Sequence, residues 1–310
     1  MDDMTADERS TQVLTTPRAL RFTKGHGTEN DFVLVPDLDA RLNLDADLTR
    51  RLADRHAGIG GDGVIRVVPT ESATEEAVRS QAGRARWFMD YRNADGSTAE
   101  MCGNGTRVFA SYLRREGLET SDEFEIATRA GIKGIRFEGD VVATNMGQWR
   151  FVDEAKAVAE GFDSLVLLRD RPLSEDPWSA LSVDMGNPHT VVALPESVDL
   201  ATLDLFHVPE VRPLPPQGTN VEFVRVMGPG HIAMRVHERG VGETQSCGTG
   251  VCAAALATSF WAGNPEPKED WTVDVPGGRL RVRGLPNHEV ELAGPAALVA
   301  DGTIDLSALA

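Results

Sequence analysis

Two of the three cysteines in the sequence stand in copies of one short motif, Cys-Gly-x-Gly, at Cys102–Gly105 and Cys247–Gly250. In both copies a polar, glycine-containing turn precedes the cysteine and an apolar helical pattern follows it. The glycines allow a tight turn and bring backbone N–H groups close to a bound group. A helix that starts there is suited to an anion such as an α-carboxylate, and its partial positive charge lowers a thiol pKa and favours thiolate.

A single motif of this kind could be an ordinary buried core segment, because free cysteine is often buried. Its repetition at two equivalent places favours a functional role for Cys102 and Cys247. The third cysteine, Cys252, lies in an alanine-rich helical pattern outside the motif, and we expect it to pack in the core.

Three kinds of chemistry use a pair of thiols. A CxxC redox pair would be adjacent in sequence, whereas Cys102 and Cys247 are far apart. A metal site would need three or four soft or imidazole ligands, and no Cys/His cluster has that spacing. A two-base racemase or epimerase needs one base on each face of a stereocentre, with a thiolate that removes the α-proton and a thiol that delivers another. The third chemistry fits best.

An internal repeat supplies the elements that would position this pair. The equivalent blocks occur in the same order: 27–33 with 185–191, 61–67 with 218–224, 86–105 with 233–250, and 124–147 with 271–294. We therefore predict an α/β (α+β) fold of two pseudo-symmetric halves, each with β-strands wrapped around a central helix and the active site in the cleft between them. The predicted divisions are a disordered leader over 1–18, a first half over 19–149 and a second half over 150–310.

Composition narrows the class of protein. The 310 residues include 48 acidic and 31 basic side chains, for a formal net charge of −17, which argues against binding to nucleic acid or to an anionic membrane. No apolar stretch approaches the roughly 20 residues of a membrane span, and the leader has no signal-peptide pattern. Three cysteines are too few for a disulfide framework. We expect a cytoplasmic protein.

Several blocks together resemble the diaminopimelate epimerase family. They run in order from about residue 20 to 305: GTENDF (27–32), GIGGDG (58–63), NADGSTAEMCGNG (93–105), NMG (145–147), GNPH (186–189), ERGVGETQSCGTG (238–250) and PGG (276–278). The resemblance implies interconversion of LL- and meso-diaminopimelate in bacterial lysine and cell-wall biosynthesis, usually by a homodimer. It implies no pyridoxal phosphate, and we expect no other cofactor and no metal.

The resemblance also implies roles for individual residues. Cys102 and Cys247 match the two acid/base residues, and His189 and Glu238 match side chains that tune the thiols. The positions that match substrate-binding residues are Asn30, Asn93, Gly103, Asn104, Asn187, Asn220, Glu238, Arg239, Gly248 and Thr249. Gly63 departs from the pattern, because some family members carry glutamine there.

These side chains suit a substrate with an amino-acid group at each end. The planar guanidinium of Arg239 can pair with a carboxylate, and asparagines donate to and accept from a zwitterion without adding charge. The structural alternatives are a surface ion pair of Arg239 with Glu238 or another acidic residue, turn or capping roles for the asparagines, and a structural role for His189.

Two other functions stay open at this point. A related racemase of proline or hydroxyproline is the nearest alternative, although that family typically has Cys-Gly-His where this chain has Cys102-Gly103-Asn104. The second alternative is an inert amino-acid-binding or thiol-sensing protein on the same scaffold.

Overall fold

The computed structural model describes residues 18–169, 177–264 and 270–309. The predicted leader therefore lies outside the described residues, except for its last residue. Across the described ranges the chain is mixed α+β, with far more strand than helix. No helix in these ranges is both long enough and apolar enough to span a lipid bilayer.

The first half alternates short strands with helices, and its principal helix follows the first cysteine motif. Its elements are β1 (Ala19–Gly27), β2 (Asn30–Pro36), α1 (Ala46–Ala53), β3 (Gly63–Pro69), α2 (Glu76–Arg79), β4 (Trp87–Asn93), α3 (Gly103–Arg115), β5 (Glu123–Thr128), β6 (Gly131–Glu138) and β7 (Val141–Gln148).

The second half has the same plan, with its principal helix after the second motif. Its elements are β8 (Arg150–Phe151), α4 (Glu154–Glu160), β9 (Ser164–Leu167), β10 (Trp178–Asp184), β11 (Pro188–Ala193), β12 (Glu210–Arg212), β13 (Asn220–Gly228), β14 (His231–Glu238), β15 (Gly242–Thr244), α5 (Gly248–Trp261), β16 (Trp271–Val275), β17 (Gly278–Leu285), β18 (Glu289–Pro295) and β19 (Ala297–Asp305). Short 3-10 turns cover Thr70–Ser72, Leu200–Thr202, Pro286–His288 and Leu306–Ala308.

Strand pairing repeats between the halves, which confirms the duplicated fold predicted from the sequence. In the first half β2 and β3 are parallel, β3 and β4 antiparallel, β4 and β5 parallel, and β5, β6 and β7 antiparallel. In the second half β11 and β13, β13 and β14, β14 and β16, and then β16, β17 and β18 follow the same series. Helix α3 connects the parallel strands β4 and β5, and α5 connects β14 and β16 in the same way.

The two halves also exchange strands. β7 of the first half pairs with β18 of the second, and the last strand, β19, pairs with β1 of the first half. The boundary at residues 149 and 150 thus remains our proposal for two units of sequence, and the strands on either side of it complete each other's sheets.

Each central helix has its own core. Val108, Phe109 and Leu113 of α3 are fully buried in a cluster with the first-half strands. Helix α5 is buried on almost every side, which explains its alanine-rich sequence, and Cys252 is 0% exposed within that second cluster. The predicted packing role of Cys252 agrees with this burial.

Candidate active site

The N-termini of the two central helices touch each other. A Cβ added at Gly248 would lie 3.3 Å from the Cα of Gly103 and 3.2 Å from a methyl group of Leu292. The same methyl group would lie 3.2 Å from a Cβ at Gly103. Glycine at both first helical positions therefore allows the two helix ends, each with partial positive charge, to lie side by side.

Cys102 and Cys247 are the N-cap residues of these helices, so the fold brings the two motif cysteines to one place. The Cys102 sulfur accepts from the Gly105 N–H at 3.5 Å and lies 3.5 Å from Oδ1 of Asn30. The Cys247 sulfur lies 3.6 Å from the hydroxyl of Thr249. Cys102 is half-buried and Cys247 is 8% exposed.

Burial outweighs the effect that the helix ends have on the thiol pKa values. Burial raises the pKa of Cys102 to about 11, even though the N–H groups of Gly105 and Asn104 act in the opposite direction. Burial also raises the pKa of Cys247 well above its usual value, and the Glu238 and Glu222 carboxylates add to that effect. The helix ends contribute as predicted, but the loss of solvation is larger.

These pKa values predict how the thiols react with a neutral alkylating agent. Because only the thiolate reacts, alkylation of Cys102 by iodoacetamide should be slow at about pH 7 and rise about tenfold per pH unit towards pH 10. Peptide mass spectrometry after short exposures would measure the rate at each cysteine. A rate for Cys102 that levels off near pH 8.5, the usual pKa of a free cysteine, would contradict the prediction. The fully buried Cys252 serves as the unreactive reference.

Asn104 connects the two halves behind the thiols. It is 1% exposed, and its amide donates to Oδ1 of Asn30 at 3.2 Å and to the Ser246 carbonyl at 2.9 Å. Asn30 in turn donates to the Asp62 carboxylate at 2.6 Å. The side chain of Asn104 is thus held within the protein, while its backbone N–H lies in the first turn of α3 beside Cys102.

The β4 end near Asn93 explains the departure at Gly63. A Cβ at Gly63 would lie 2.5 Å from a ring carbon of Tyr91 and 2.6 Å from the Arg92 carbonyl, so a larger side chain has no room there. The Tyr91 hydroxyl donates to Asn93, and Asn93 donates to Ser97. These two hydrogen bonds fix the orientation of the Asn93 side chain, and the bond to Ser97 also gives it a role in the turn.

In the second half, the side chains of three predicted site residues are linked. His189 Nε2 lies 3.1 Å from Oδ1 of Asn187, and the Asn187 amide donates to the Thr249 hydroxyl at 3.3 Å. Asn220, paired with His189 across β11 and β13, accepts from the Arg239 N–H at 2.9 Å.

Glu238 and Arg239 are neighbours in sequence but differ in their exposure to solvent. Burial raises the pKa of Glu238, which accepts from the Thr244 hydroxyl. Arg239 is exposed, and its guanidinium donates to the Gln217 carbonyl at 3.0 Å. It forms no ion pair with any residue that the structure describes, so the alternative of an ion pair with Glu238 is wrong.

Two residues of the site were not predicted from the sequence. The first, Arg107 of α3, is fully buried, and its guanidinium donates to Asn104 Oδ1 at 2.9 Å, to Thr28 Oγ1 at 3.2 Å and to the carbonyls of Gly103 and Pro295. Burial lowers the pKa of Arg107 to about 10, which leaves it charged at neutral pH. The available signal was an arginine within the helix that follows the cysteine motif.

The second missed residue is Glu222, whose Oε1 lies 2.7 Å from Nδ1 of His189. Its signal was an acidic residue within an otherwise apolar strand, Val221–Val224. The described residues contain no group of three or more His, Cys, Asp or Glu side chains that could hold a metal ion.

Comparisons with known proteins show the family of this chain. The model of the family described as diaminopimelate epimerase matches residues 22–152 and 181–299. A diaminopimelate epimerase of Streptomyces coelicolor is 47% identical over 294 residues, which cover 92% of this chain and 96% of that protein. One from Thermobifida fusca is 46% identical over 300 residues, covering 94% and 100%.

Among solved structures, a hydroxyproline epimerase from Agrobacterium vitis, with bound trans-4-hydroxy-L-proline, superposes with a TM-score of 0.64 at 15% identity, covering 93% of this chain and 91% of that one. That likeness shows the shared fold. The family model and the relatives, which cover most of the chain, show more: this chain belongs to the diaminopimelate epimerase family, and it is an isomerase.

Proposed function

We propose that this protein interconverts LL- and meso-diaminopimelate by moving the α-proton between Cys102 and Cys247. One observation carries the proposal: the two cysteines are N-caps of equivalent helices whose first glycines are in contact. A carboxylate at that contact would accept from the N–H groups of both helices, with one thiol supplied by each half.

The proposed step is a proton exchange at one carbon. One cysteine, as thiolate, takes the α-proton; the Cα–H bond breaks and its electron pair delocalises onto the α-carboxylate. The other cysteine, as thiol, gives its proton to the opposite face of the same carbon and becomes the thiolate. The raised thiol pKa values support this role, because a thiolate with a high pKa is a stronger proton acceptor.

Charge that develops on the carboxylate would be stabilised by fixed donors. We assign the reacting carboxylate to the N–H groups of Gly103 and Asn104 and of Gly248 and Thr249. The buried Arg107 guanidinium lies against the Gly103 carbonyl and has only neutral acceptors among its hydrogen-bond partners. A positive group of this kind favours an anionic transition state nearby.

The rest of the substrate would bind to the remaining predicted residues. The exposed Arg239, which has no carboxylate partner among the residues that the structure describes, suits the distal carboxylate. Asn30, Asn93, Asn187, Asn220 and Glu238 would bind the ammonium and carboxylate groups. We further propose that the protein is cytoplasmic, since free thiols must stay reduced for this chemistry. We also propose that it forms a homodimer.

Deuterium exchange tests the proposal directly. Purified protein in D2O, with LL-diaminopimelate and no added cofactor, should remove the α-proton signal in proton NMR while the meso isomer forms. Parallel samples with L-proline and trans-4-hydroxy-L-proline should show no inversion. Faster inversion of either imino acid would favour the racemase alternative, and binding of diaminopimelate without exchange would favour the inert alternative.

A further inference from the structure

The two halves differ beneath their cysteine motifs. Gly105 and Gly250 hold equivalent places, yet a Cβ at Gly105 would meet the apolar side chains of Ile65 at 3.3 Å and Phe32 at 3.4 Å. A Cβ at Gly250 would instead meet Oε1 of Glu222 at 2.6 Å. The first turn of the helix capped by Cys102 therefore packs against apolar side chains, whereas the first turn of the helix capped by Cys247 packs against an ionisable group.

That ionisable group is part of a fully buried pair. The side chains of Glu222 and His189 are both 0% exposed, and Oε1 of Glu222 lies 2.7 Å from Nδ1 of His189. The other oxygen, Oε2, has no hydrogen-bond partner among the described residues. A buried carboxyl group is costly unless it is hydrogen-bonded, and the contact with Nδ1 of His189 is the one hydrogen bond that the described residues give to the Glu222 carboxyl group.

The contact with Glu222 begins a chain of contacts that ends at Cys247. Nε2 of His189 lies 3.1 Å from Oδ1 of Asn187, and the Asn187 amide donates to the Thr249 oxygen at 3.3 Å. Because the Thr249 oxygen accepts from Asn187, its hydroxyl proton is free to point at the Cys247 sulfur, 3.6 Å away.

We propose that Glu222 is a positioning residue that acts on Cys247 through His189, Asn187 and Thr249, so that the Thr249 hydroxyl donates to the Cys247 thiolate. The inference rests on the proposed function, in which turnover in either direction passes through that thiolate. The other ionisable group that faces Cys247 is Glu238 on β14, with Asp62 near Glu238. The Cys102 sulfur instead contacts Oδ1 of Asn30, whose amide donates to the Asp62 carboxylate, and no histidine takes part in that contact.

The substitution Glu222→Gln tests the chain. Glutamine keeps the length of the side chain and an acceptor for Nδ1 of His189 but removes the negative charge, which weakens the first link of the chain. We expect kcat/KM to fall roughly 10- to 100-fold at about pH 8, the cost of a hydrogen bond to a charged group.

A different role for Glu222 would give a different result. If Glu222 were only a like charge near the thiol, its removal would lower the pKa of Cys247 and raise the rate at neutral pH. If its role were purely structural, the losses from Glu222→Gln and Thr249→Val would add in the double variant. Either result overturns the inference. Glu291→Gln is the matched control, since Glu291 is 9% exposed and paired with Arg136 away from the thiols, and its kcat/KM should match the wild type.

A second variant keeps the inference testable if Glu222→Gln does not fold. Thr249→Val removes the last donor without touching the buried pair, and it should cost a similar factor, with no further loss in the double variant. Full activity of Thr249→Val would overturn the inference. If the wild type fails to epimerise diaminopimelate, the proposed function fails instead. Iodoacetamide rates at Cys247 then decide: slower alkylation in Glu222→Gln than in the wild type supports the chain, and equal or faster alkylation refutes it.

Discussion

Replacement of either Cys102 or Cys247 by alanine should lower the epimerisation rate by roughly 10²- to 10⁴-fold, the usual contribution of a positioned acid or base. Both positions matter because each cysteine is the N-cap of one of the two helices in contact at Gly103 and Gly248. Proton NMR in D2O would follow exchange and inversion in the same sample. Each single variant should still exchange the α-hydrogen of one stereoisomer, slowly and without inversion, because one base remains on one face.

Cys252→Ala is the matched control for these variants. Cys252 is 0% exposed in the apolar core of α5, five residues beyond Cys247, and alanine is an excellent helix former. Its loss should reduce thermal stability modestly and leave kcat/KM unchanged. Full activity of Cys102→Ala or Cys247→Ala, beside an inactive Cys252→Ala, would reverse our assignment.

Gly277→Ala should destabilise the protein by about 3 kcal/mol or more, the upper range for overpacking. A Cβ at Gly277 would lie 2.0 Å from the Thr28 carbonyl oxygen and 3.3 Å from the Gln245 carbonyl, and backbone atoms cannot move aside as a flexible side chain can. Thr28 also hydrogen-bonds through its hydroxyl to Ser246, next to Cys247. The substitution should therefore separate the halves beside both thiols and lower activity as well as stability.

Denaturant or thermal unfolding would measure the change in stability, with Gly228→Ala as the control. Gly228 is the last residue of β13, at a hairpin, and a Cβ there would meet nothing within 4 Å. That control should stay close to the wild type in both stability and activity. Equal stability of the two variants would show that the contact between Gly277 and Thr28 is not tight in solution.

The overall duplication and the cysteine pair were predictable because both leave periodic signals in one sequence. The blocks around Cys102 and Cys247 recur in the same order, the helix after Cys102 has an apolar stripe, and the helix after Cys247 is apolar on almost every side. The structure places these helices at equivalent points of two matching strand series. The duplication and the cysteine pair both follow from the local spacing of residues, so both could be predicted from the sequence alone.

The sequence could not show contacts between distant segments. The pKa of Cys102 depends on the balance between burial and N–H donors, and motif chemistry alone predicted the donors without the burial. The partner of His189 is Glu222, 33 residues away on the neighbouring parallel strand, and nothing in either local pattern pairs them. The pairing of β19 with β1 of the other half is likewise a matter of topology.

The exchanged strands determine how the two halves can move. The chain crosses between them after β7, near Trp149, and after β18, near Ala296, and these crossings lie at opposite ends of the antiparallel β7–β18 pair. The β7–β18 pair joins the two crossings, so the line along this pair can act as a hinge axis between the halves. Leu292 of β18 lies against Gly103 and Gly248, so this axis passes close to the helix ends. Rotation about it would swing outlying groups such as Arg239 through a wide arc while it leaves the junction of the two helix N-termini almost stationary.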